Sequence, residues 1–374
     1  MKAALHVDQL FFTVPGGVGT YIRNLVPALA RRDPSLEVTL FHARIDPPKA
    51  AEPWMNAFAD EELAGSIRSL YPRWNLFGRP VLPAPLRSAD LVHAMSGSAI
   101  PPVADGQRLV VTVHDLAFDR YPGMFPRSWR VMYRLGLRAA VRRAHAIVTP
   151  SRTTAEDVLS RTNVDPRKLH VVPEAAALPG SNVDVGEALK RLKLMPPYVL
   201  FVGTIEPRKN LVRLVRAYRR VAATGVPHGL LLAGPLGWHH ERLMRELALE
   251  GPGEIVMTGA LAPDELDAVY RAADAFVYPS VYEGFGLPVL EAMTRGVPVV
   301  ASNTSSLPEV TGDAAIGVNP RSVRELAAAI ESLCTDVDLA ERLAAAGRRR
   351  AERFSWDETA ARTAEVYEQV LETK

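Results

Sequence analysis

Short apolar segments and amphipathic helical segments alternate along nearly the whole chain. The apolar segments of the first half are Ala3 to Val7, Leu36 to Phe41, Asp90 to Ala94, Leu109 to Val113, Ala146 to Thr149 and Leu169 to Val172. Those of the second half are Tyr198 to Val202, Gly229 to Leu232, Ile255 to Met257, Ala275 to Tyr278 and Val297 to Ala301. Apolar runs of this kind are typical of parallel sheets that are covered by helices on both faces. The pattern therefore predicts an α/β fold.

The alternation is interrupted between residues 175 and 197, where glycine and proline are frequent, and it then starts afresh. Because a chain of 374 residues exceeds what one core usually serves, we interpret this interruption as a domain boundary. We expect Rossmann-like domains over residues 1–177 and 178–354, and a terminal helix over 355–374 that crosses back to the first domain. A ligand is then expected in the cleft between the domains.

The region from residue 44 to residue 88 shows only weak periodicity. We expect a helix from about Trp54 to Leu63 and irregular chain around Tyr71 and Trp74. Long irregular segments in compact domains are often functional, so an acceptor-binding role and a plain surface role are both open. Beyond Gly312 the sequence indicates helix.

Composition and charge exclude several classes of function. The net charge of +2 gives no global attraction to nucleic acid, and no such partner is expected. A single cysteine, Cys334, excludes an internal disulfide and fits a reducing compartment. No apolar run is long enough to span a membrane, and His6 and Asp8 interrupt the N-terminal run too early for a secretory signal. We therefore expect a cytoplasmic location.

The segment from Ala275 to Glu291 predicts a strand, a glycine loop and the start of a helix. Gly284 and Gly286 allow backbone amides to approach a ligand, and the helix N-terminus that follows suits an anion such as phosphate. Glu283 in the loop and Glu291 about one turn into the helix can accept hydrogen bonds from hydroxyl pairs of a sugar or ribose. The simpler alternative is an ordinary strand-to-helix connection.

Three other segments place polar groups where predicted strands end. Gly16, Gly17 and Gly19 follow the first strand, but Ile22 stands where a dinucleotide fingerprint has its third glycine, which disfavours a nicotinamide cofactor. His114 ends another strand, and as a neutral imidazole it could hydrogen-bond a sugar hydroxyl; a satisfied core histidine is the alternative.

Arg208 and Lys209 follow the strand that ends near Gly203, and Asn210 is a candidate helix cap. Together these two cations can neutralise a diphosphate, although an exposed basic turn would have the same sequence. No His, Cys or Asp cluster has metal-binding spacing, so we expect no metal.

A predicted helix from Pro126 to Arg143 carries arginine at every fourth position. The stripe fits an anionic membrane surface or a phosphate-bearing acceptor, and it also fits a solvated face. Its residues are Arg130, Arg134, Arg138 and Arg142.

Together these features resemble the retaining, nucleotide-sugar-dependent glycosyltransferases of family 4, which have two Rossmann-like domains facing across a cleft, the GT-B architecture. The most specific feature is the pair Glu283 and Glu291, which matches the E-x7-E motif of that family. The chain looks most similar to bacterial mannosyl- and rhamnosyl-transferases of surface polysaccharide assembly. This resemblance implies a nucleotide-sugar donor, with GDP-mannose favoured over UDP-glucose, and a glycan or lipid-linked acceptor.

The resemblance also implies roles for individual residues. Glu283 would contact the donor sugar, Glu291 the ribose hydroxyls, and Arg208 with Lys209 the diphosphate, without a metal. His114 would lie near the reacting carbon. The other implied donor-site residues are Gly17, Gly203, Gly284, Phe285, Gly286 and Leu287.

The chain departs from the family at one position. After Pro173 many members have Asn-Gly, whereas this chain has Glu174 and Ala175, so the contact from this loop is open. A sugar-nucleotide 2-epimerase of the same fold and a non-catalytic nucleotide-sugar binding protein remain the alternative functions.

Overall fold

The computed structural model describes residues 1–45, 51–176 and 183–372. The chain forms two compact units: unit 1 is Met1–Glu174 with Ser355–Lys374, and unit 2 is Ala175–Phe354. The boundary that we expected between residues 177 and 178 lies outside the described residues.

Unit 1 contains a parallel sheet. Its strands are β1 (Lys2–His6), β2 (Glu37–Arg44), β3 (Ala59–Ser66), β4 (Leu91–Ala94), β5 (Arg108–Thr112), β6 (Ala146–Thr149) and β7 (Leu169–Val171). In the described part of unit 1 these seven strands lie in the order β3-β2-β1-β4-β5-β6-β7. Strands β4 and β6 are buried along their whole length, which is why they read as continuous apolar runs.

The first helix of unit 1 begins within the glycine segment. The helices are α1 (Gly16–Arg32), α2 (Ile67–Phe77), α3 (Ala84–Arg87), α4 (Ala117–Arg120), α5 (Arg127–Arg143) and α6 (Arg152–Arg161). Helix α5 confirms the predicted arginine-rich helix. Gly16, Gly17 and Gly19, which follow the predicted first strand, lie in the first turn of α1.

The prediction for the weakly periodic region was wrong in two places. The segment expected to be a helix from Trp54 to Leu63 is a short 3-10 helix, Pro53–Ala57, in its first half and the strand β3 in its second half. Its sequence favours helix locally, but pairing with β2 at the sheet edge overrides that preference. Helix α2 replaces the irregular chain, because a buried face of Leu70, Tyr71, Trp74 and Asn75 outweighs the proline at position 72.

Unit 2 contains a second parallel sheet. Its strands are β8 (Tyr198–Val202), β9 (Gly229–Ala233), β10 (Ile255–Gly259), β11 (Ala275–Tyr278), β12 (Val299–Ser302) and β13 (Ile316–Val318). Within residues 183–354 these six strands lie in the order β10-β9-β8-β11-β12-β13. The two parallel sheets with helical connections confirm the predicted fold class. The short edge strand β13 was missed, because its three residues lie in a region that reads as helix.

The helices of unit 2 precede, connect or follow these strands. They are α7 (Val185–Leu192), α8 (Leu211–Ala222), α9 (Glu241–Leu247), α10 (Pro263–Arg271), α11 (Leu287–Thr294), α12 (Leu307–Thr311), α13 (Val323–Thr335) and α14 (Val337–Ala351). Helix α11 is the helix that we expected after the glycine loop.

The terminal helix α15 (Trp356–Glu372) belongs to unit 1. Ala360, Val366 and Tyr367 are buried in the same hydrophobic cluster as residues of α1 and β1. The Tyr367 hydroxyl also shares a hydrogen bond of 2.7 Å with Nδ1 of His93 on β4. Both the cluster and this bond fix α15 against the sheet of unit 1.

Candidate functional site

Two glycines bring the connections after β8 and β9 into close contact in unit 2. Gly203 and Gly234 have φ angles of +149° and +143°, which side chains disfavour. A Cβ atom on Gly234 would lie 2.1 Å from the Gly203 carbonyl oxygen, so any larger residue there would displace the backbone. The Ile205 amide donates to the Pro235 carbonyl at 2.9 Å, which extends the pairing beyond the strands. This contact fixes the start of the segment that carries Arg208 and Lys209.

Arg208 and Lys209 converge on Glu283. Arg208 Nη1 donates to Glu283 Oε2, and Lys209 Nζ donates to Glu283 Oε1 at 2.7 Å. Lys209 Nζ also donates to the Tyr278 hydroxyl at 2.6 Å, and Arg208 Nη2 donates to Glu206 Oε1 at 2.7 Å. The side chains of the four charged residues are at most 13% exposed. We call Glu206, Arg208, Lys209 and Glu283 the ion cluster.

The electrostatics of the ion cluster are balanced. Burial raises the pKa of Glu283, but the charges of Arg208 and Lys209 outweigh burial. The pKa of Glu283 is therefore lowered to about 2. Burial and the neighbouring Arg208 lower the pKa of Lys209, against the opposing charges of Glu283 and Glu206. Two cations and two carboxylates therefore compensate one another at neutral pH. An incoming anion would compete with Glu283 for both cations.

Helix α11 begins at Leu287, four residues after Glu283 in the chain. Gly286 is its N-cap residue with φ +122°, and a Cβ atom there would lie 2.7 Å from Leu307 Cδ2. Ser306 Oγ donates to the carbonyls of Glu283 and Phe285 at 2.9 and 2.8 Å, which holds the loop. Within residues 183–372, no acceptor binds the amides of Phe285, Gly286 and Leu287. These amides and the positive end of the helix dipole suit a phosphate.

Glu291 lies inside α11 and is 8% exposed. The Tyr270 hydroxyl donates to its Oε2 atom at 2.9 Å. Burial raises the pKa of Glu291, although the Tyr270 hydrogen bond and the charge of Arg295 oppose this shift. Glu283 and Glu291 therefore differ in character: Glu283 is an ion-paired carboxylate, whereas Glu291 is held mainly by a neutral hydroxyl.

His114 and Gly17 belong to unit 1. His114 lies two residues after β5, and both of its ring nitrogens are engaged: Nδ1 lies 3.0 Å from Glu174 Oε1 and Nε2 lies 2.9 Å from the Met95 carbonyl. A hydrogen bond from this ring to a sugar hydroxyl would therefore require one of these contacts to open. Gly17 is exposed in the first turn of α1.

The arginine stripe of α5 is divided in its contacts. Arg130 Nη1 donates to the Pro122 carbonyl at 2.9 Å, and Arg134 forms an ion pair of 2.9 Å with Asp119. Arg138 and Arg142 are exposed. Of the four arginines, only Arg138 and Arg142 have exposed guanidinium groups for which no partner is found within residues 51–176.

Several residues of these sites were not singled out from the sequence. Glu206 could have been noticed, because it lies two residues before Arg208. Tyr270 and Ser306 lie on other elements, and nothing in their local sequence indicates the contacts that they make. Asn210 is the N-cap residue of α8, as expected. Its side chain makes no capping hydrogen bond and instead donates to the carbonyls of Pro279 and Pro320 at 3.0 and 2.7 Å.

The described residues contain neither a membrane-spanning helix nor a cluster of metal ligands. No helix among them has both the length and the apolar character needed to cross a membrane. No group of three or more His, Cys, Asp or Glu side chains in the described ranges could hold a metal ion.

Family models match both halves of the chain. The model described as glycosyl transferases group 1 matches residues 188–350, which lie in unit 2. The model described as glycosyltransferase family 4 matches residues 15–176, which lie almost wholly in unit 1. Together these two ranges include every predicted site residue.

Two of the relatives are mannosyltransferases of Escherichia coli. O-antigen chain mannosyltransferase B is 35% identical over 269 residues, which are 70% of this chain and 70% of that protein. Serotype-specific mannosyltransferase WbdA is 32% identical over 281 residues, which are 71% of this chain but 34% of that protein. The chain therefore spans about a third of the length of WbdA.

Solved structures show the same fold. Sucrose-phosphate synthase from Thermosynechococcus elongatus has a TM-score of 0.74 and 23% identity, with 100% of both chains covered. Anabaena Alr3699/HepE, in complex with UDP and glucose, has a TM-score of 0.73 and 18% identity, with 99% of this chain and 100% of that chain covered. The matched family models, the mannosyltransferase relative and the shared fold show that the chain belongs to the family 4 glycosyltransferases of GT-B fold.

Proposed function

We propose that the protein is a retaining hexosyltransferase that moves a hexose from a nucleoside-diphosphate sugar to a hydroxyl of a glycan or lipid-linked acceptor. The ion cluster carries this proposal, because Arg208 and Lys209 lie at the carboxyl end of β8 in the same unit as the amides before α11. Cations and backbone amides of this kind bind and stabilise a diphosphate. The mannosyltransferase relatives support mannose as the hexose. We propose GDP-mannose as the donor over UDP-glucose.

The chemistry needs stabilisation of the leaving group. As the bond between sugar and phosphate breaks, negative charge builds up on the diphosphate, and fixed donors aimed at that charge lower the barrier. Lys209 Nζ uses two of its three N–H donors on Tyr278 and Glu283, so one remains for a phosphate oxygen. Arg208 would exchange part of its contact with Glu283 for the same ligand.

Retention follows if the acceptor hydroxyl attacks from the face that the diphosphate leaves. Both carboxylate oxygens of Glu283 accept hydrogen bonds from cations, which makes this group a poor nucleophile. Glu283 therefore suits contact with the sugar hydroxyls better than formation of a covalent intermediate.

The first experiment is a thermal-shift panel with GDP, UDP, ADP, dTDP and their sugars, with and without EDTA. We expect a selective rise in melting temperature with one diphosphate, because a ligand at 100 times its Kd adds ~2.7 kcal/mol to the free energy of unfolding. An effect that persists in EDTA supports metal-independent binding. A protein that responds to none of these nucleotides would contradict the donor site.

Product analysis separates transfer from the alternatives. A transferase releases nucleoside diphosphate, by transfer or by slow hydrolysis of the donor. A 2-epimerase would return an isomer of the donor, and a non-catalytic binding protein would return the donor unchanged.

We also propose peripheral contact with an anionic membrane through the exposed part of the α5 stripe. Arg138 and Arg142 lie on the helix that carries Val131, which is 57% exposed, and α2 packs beside α5. Phe77 at the end of α2 is 73% exposed. Arginines beside exposed apolar residues suit an interface of anionic lipid headgroups and acyl chains.

Vesicle sedimentation tests this contact. The double variant Arg138→Gln/Arg142→Gln should bind phosphatidylglycerol vesicles ~30-fold more weakly, since each cation near the surface contributes about 1 kcal/mol. The control is Arg342→Gln/Arg349→Gln, which removes two exposed arginines of α14. Equal binding by both variants, or wild-type binding to neutral phosphatidylcholine, would contradict a role for this stripe.

A further inference from the structure

The ring of His114 is placed between two hydrogen-bond acceptors. The Met95 carbonyl oxygen lies 2.9 Å from Nε2, and a carbonyl can only accept, so Nε2 must carry a proton. Glu174 Oε1 lies 3.0 Å from Nδ1, and an ionised carboxylate can likewise only accept. With Glu174 ionised, both nitrogens carry protons and the ring is an imidazolium.

Glu174 is suited to hold this charge. It is 4% exposed, and it lies three residues after β7, in the loop where many family members have Asn-Gly. An asparagine amide can donate to Nδ1 of His114 as well as accept from it. An asparagine at this position would therefore be compatible with a neutral ring that has no proton on Nδ1. A buried carboxylate that loses its cationic partner is strongly destabilised, which favours the paired, charged state.

The groups around the ring in unit 1 agree with this state. Asp115 follows in the chain, and Tyr21 of α1 packs edge-on with ring centroids 4.9 Å apart. Thr154 of α6 donates to the His114 carbonyl at 3.5 Å. His93 of β4 stays neutral, because burial, followed by the charge of His114, lowers its pKa to about 3. Burial lowers the pKa of His114 itself, but Glu174, the Met95 carbonyl and Asp115 outweigh burial and raise it overall.

We propose that Glu174 is a positioning residue that fixes His114 as a doubly protonated ring at the carboxyl end of β5. His114 then acts through a fixed positive charge, and not as a neutral imidazole that exchanges hydrogen bonds with a sugar hydroxyl. This role rests on the proposed function and on the position near the reacting carbon that the resemblance to family 4 implies for His114. There the charge complements the negative charge that develops on the departing diphosphate.

Nuclear magnetic resonance of the full chain with 15N-labelled histidine tests the charge state. The His114 signals are assigned from their loss in His114→Gln. In the wild type we expect both ring nitrogens to remain protonated above pH 6.5, the ordinary pKa of histidine, because the pKa of His114 is raised. In Glu174→Gln, which keeps the side-chain size and a hydrogen bond but not the charge, the His114 titration should move down by ~1–3 pH units. In Glu174→Asp, which keeps the charge, the His114 titration should lie closer to that of the wild type than it does in Glu174→Gln.

Activity gives the second readout. If protonated His114 is required, activity is lost as the pH rises through its pKa, so the alkaline limb of the kcat profile should move to lower pH in Glu174→Gln. The KM for the donor should change less than kcat, because the ring makes no hydrogen bond to the sugar.

A neutral His114 in the wild type, or the same titration in wild type and Glu174→Gln, overturns the proposal. The titration is measured without substrate, so it stands if the transferase assignment fails. Conversely, a confirmed charge with unchanged kcat profiles would overturn the catalytic part. Melting temperatures of the variants identify any loss of folding.

Discussion

Replacing Lys209 with methionine should lower kcat by ~10²–10³-fold, the usual effect of removing one preorganised donor to a developing anion. Methionine keeps an unbranched apolar side chain in the space beside Tyr278 and removes the charge. Burial of the ammonium in the ion cluster makes its interaction with a diphosphate stronger than it would be in water. The rate is measured as release of nucleoside diphosphate, with the donor that the thermal-shift panel selects.

The matched control for this variant is Lys190→Met on α7, where the lysine is exposed. It should leave kcat unchanged. Diphosphate binding gives an independent check: because the pKa of Lys209 is lowered from 10.5, the thermal shift that nucleoside diphosphate produces should weaken at a pH below that value as the ammonium deprotonates. Full activity in Lys209→Met would remove Lys209 from the mechanism.

The sequence predicted the elements that carry the donor site because their patterns are local. Ala275 to Tyr278 and Tyr198 to Val202 were predicted with the bounds that β11 and β8 have. These strands are buried along their length, so their apolar runs are unbroken, and glycine marks the loop that follows β11. The positions of Arg208, Glu283 and Glu291 relative to strand ends followed from the same pattern.

The contacts between these residues could not be predicted in the same way. Arg208 and Glu283 are 75 positions apart, and their pairing depends on β11 lying beside β8 in the sheet. Two cations were therefore assigned to a diphosphate without the carboxylates that already neutralise them. The segment from Ala59 to Ser66 shows a second limit of prediction from local sequence. Its residues favour a helix, but they form a strand because an open sheet edge is available for pairing.

Glu283→Gln should separate stability from catalysis within the ion cluster. Removing one carboxylate leaves Arg208 and Lys209 buried with less compensation, which destabilises unit 2 by ~3 kcal/mol. That loss corresponds to ~6–12 °C in melting temperature for a unit of this size. In the wild type the folded pKa of about 2 lies below the ordinary 4.5, so this stability is present above pH 4.5 and is lost as the pH falls towards 2. The variant should lack this acid-dependent loss.

The same variant should bind nucleoside diphosphate more tightly, by about tenfold, because the ligand no longer competes with a carboxylate for the two cations. Turnover should fall nevertheless, since Glu283 is proposed to contact the donor sugar. Calorimetric titration with the diphosphate and the rate with the nucleotide sugar measure the two effects separately. Glu246→Gln is the control: it breaks an ion pair with Arg216 in the same unit and should change neither quantity. If diphosphate affinity instead falls together with turnover, Glu283 helps to bind the diphosphate, and the competition inferred from the ion cluster is wrong.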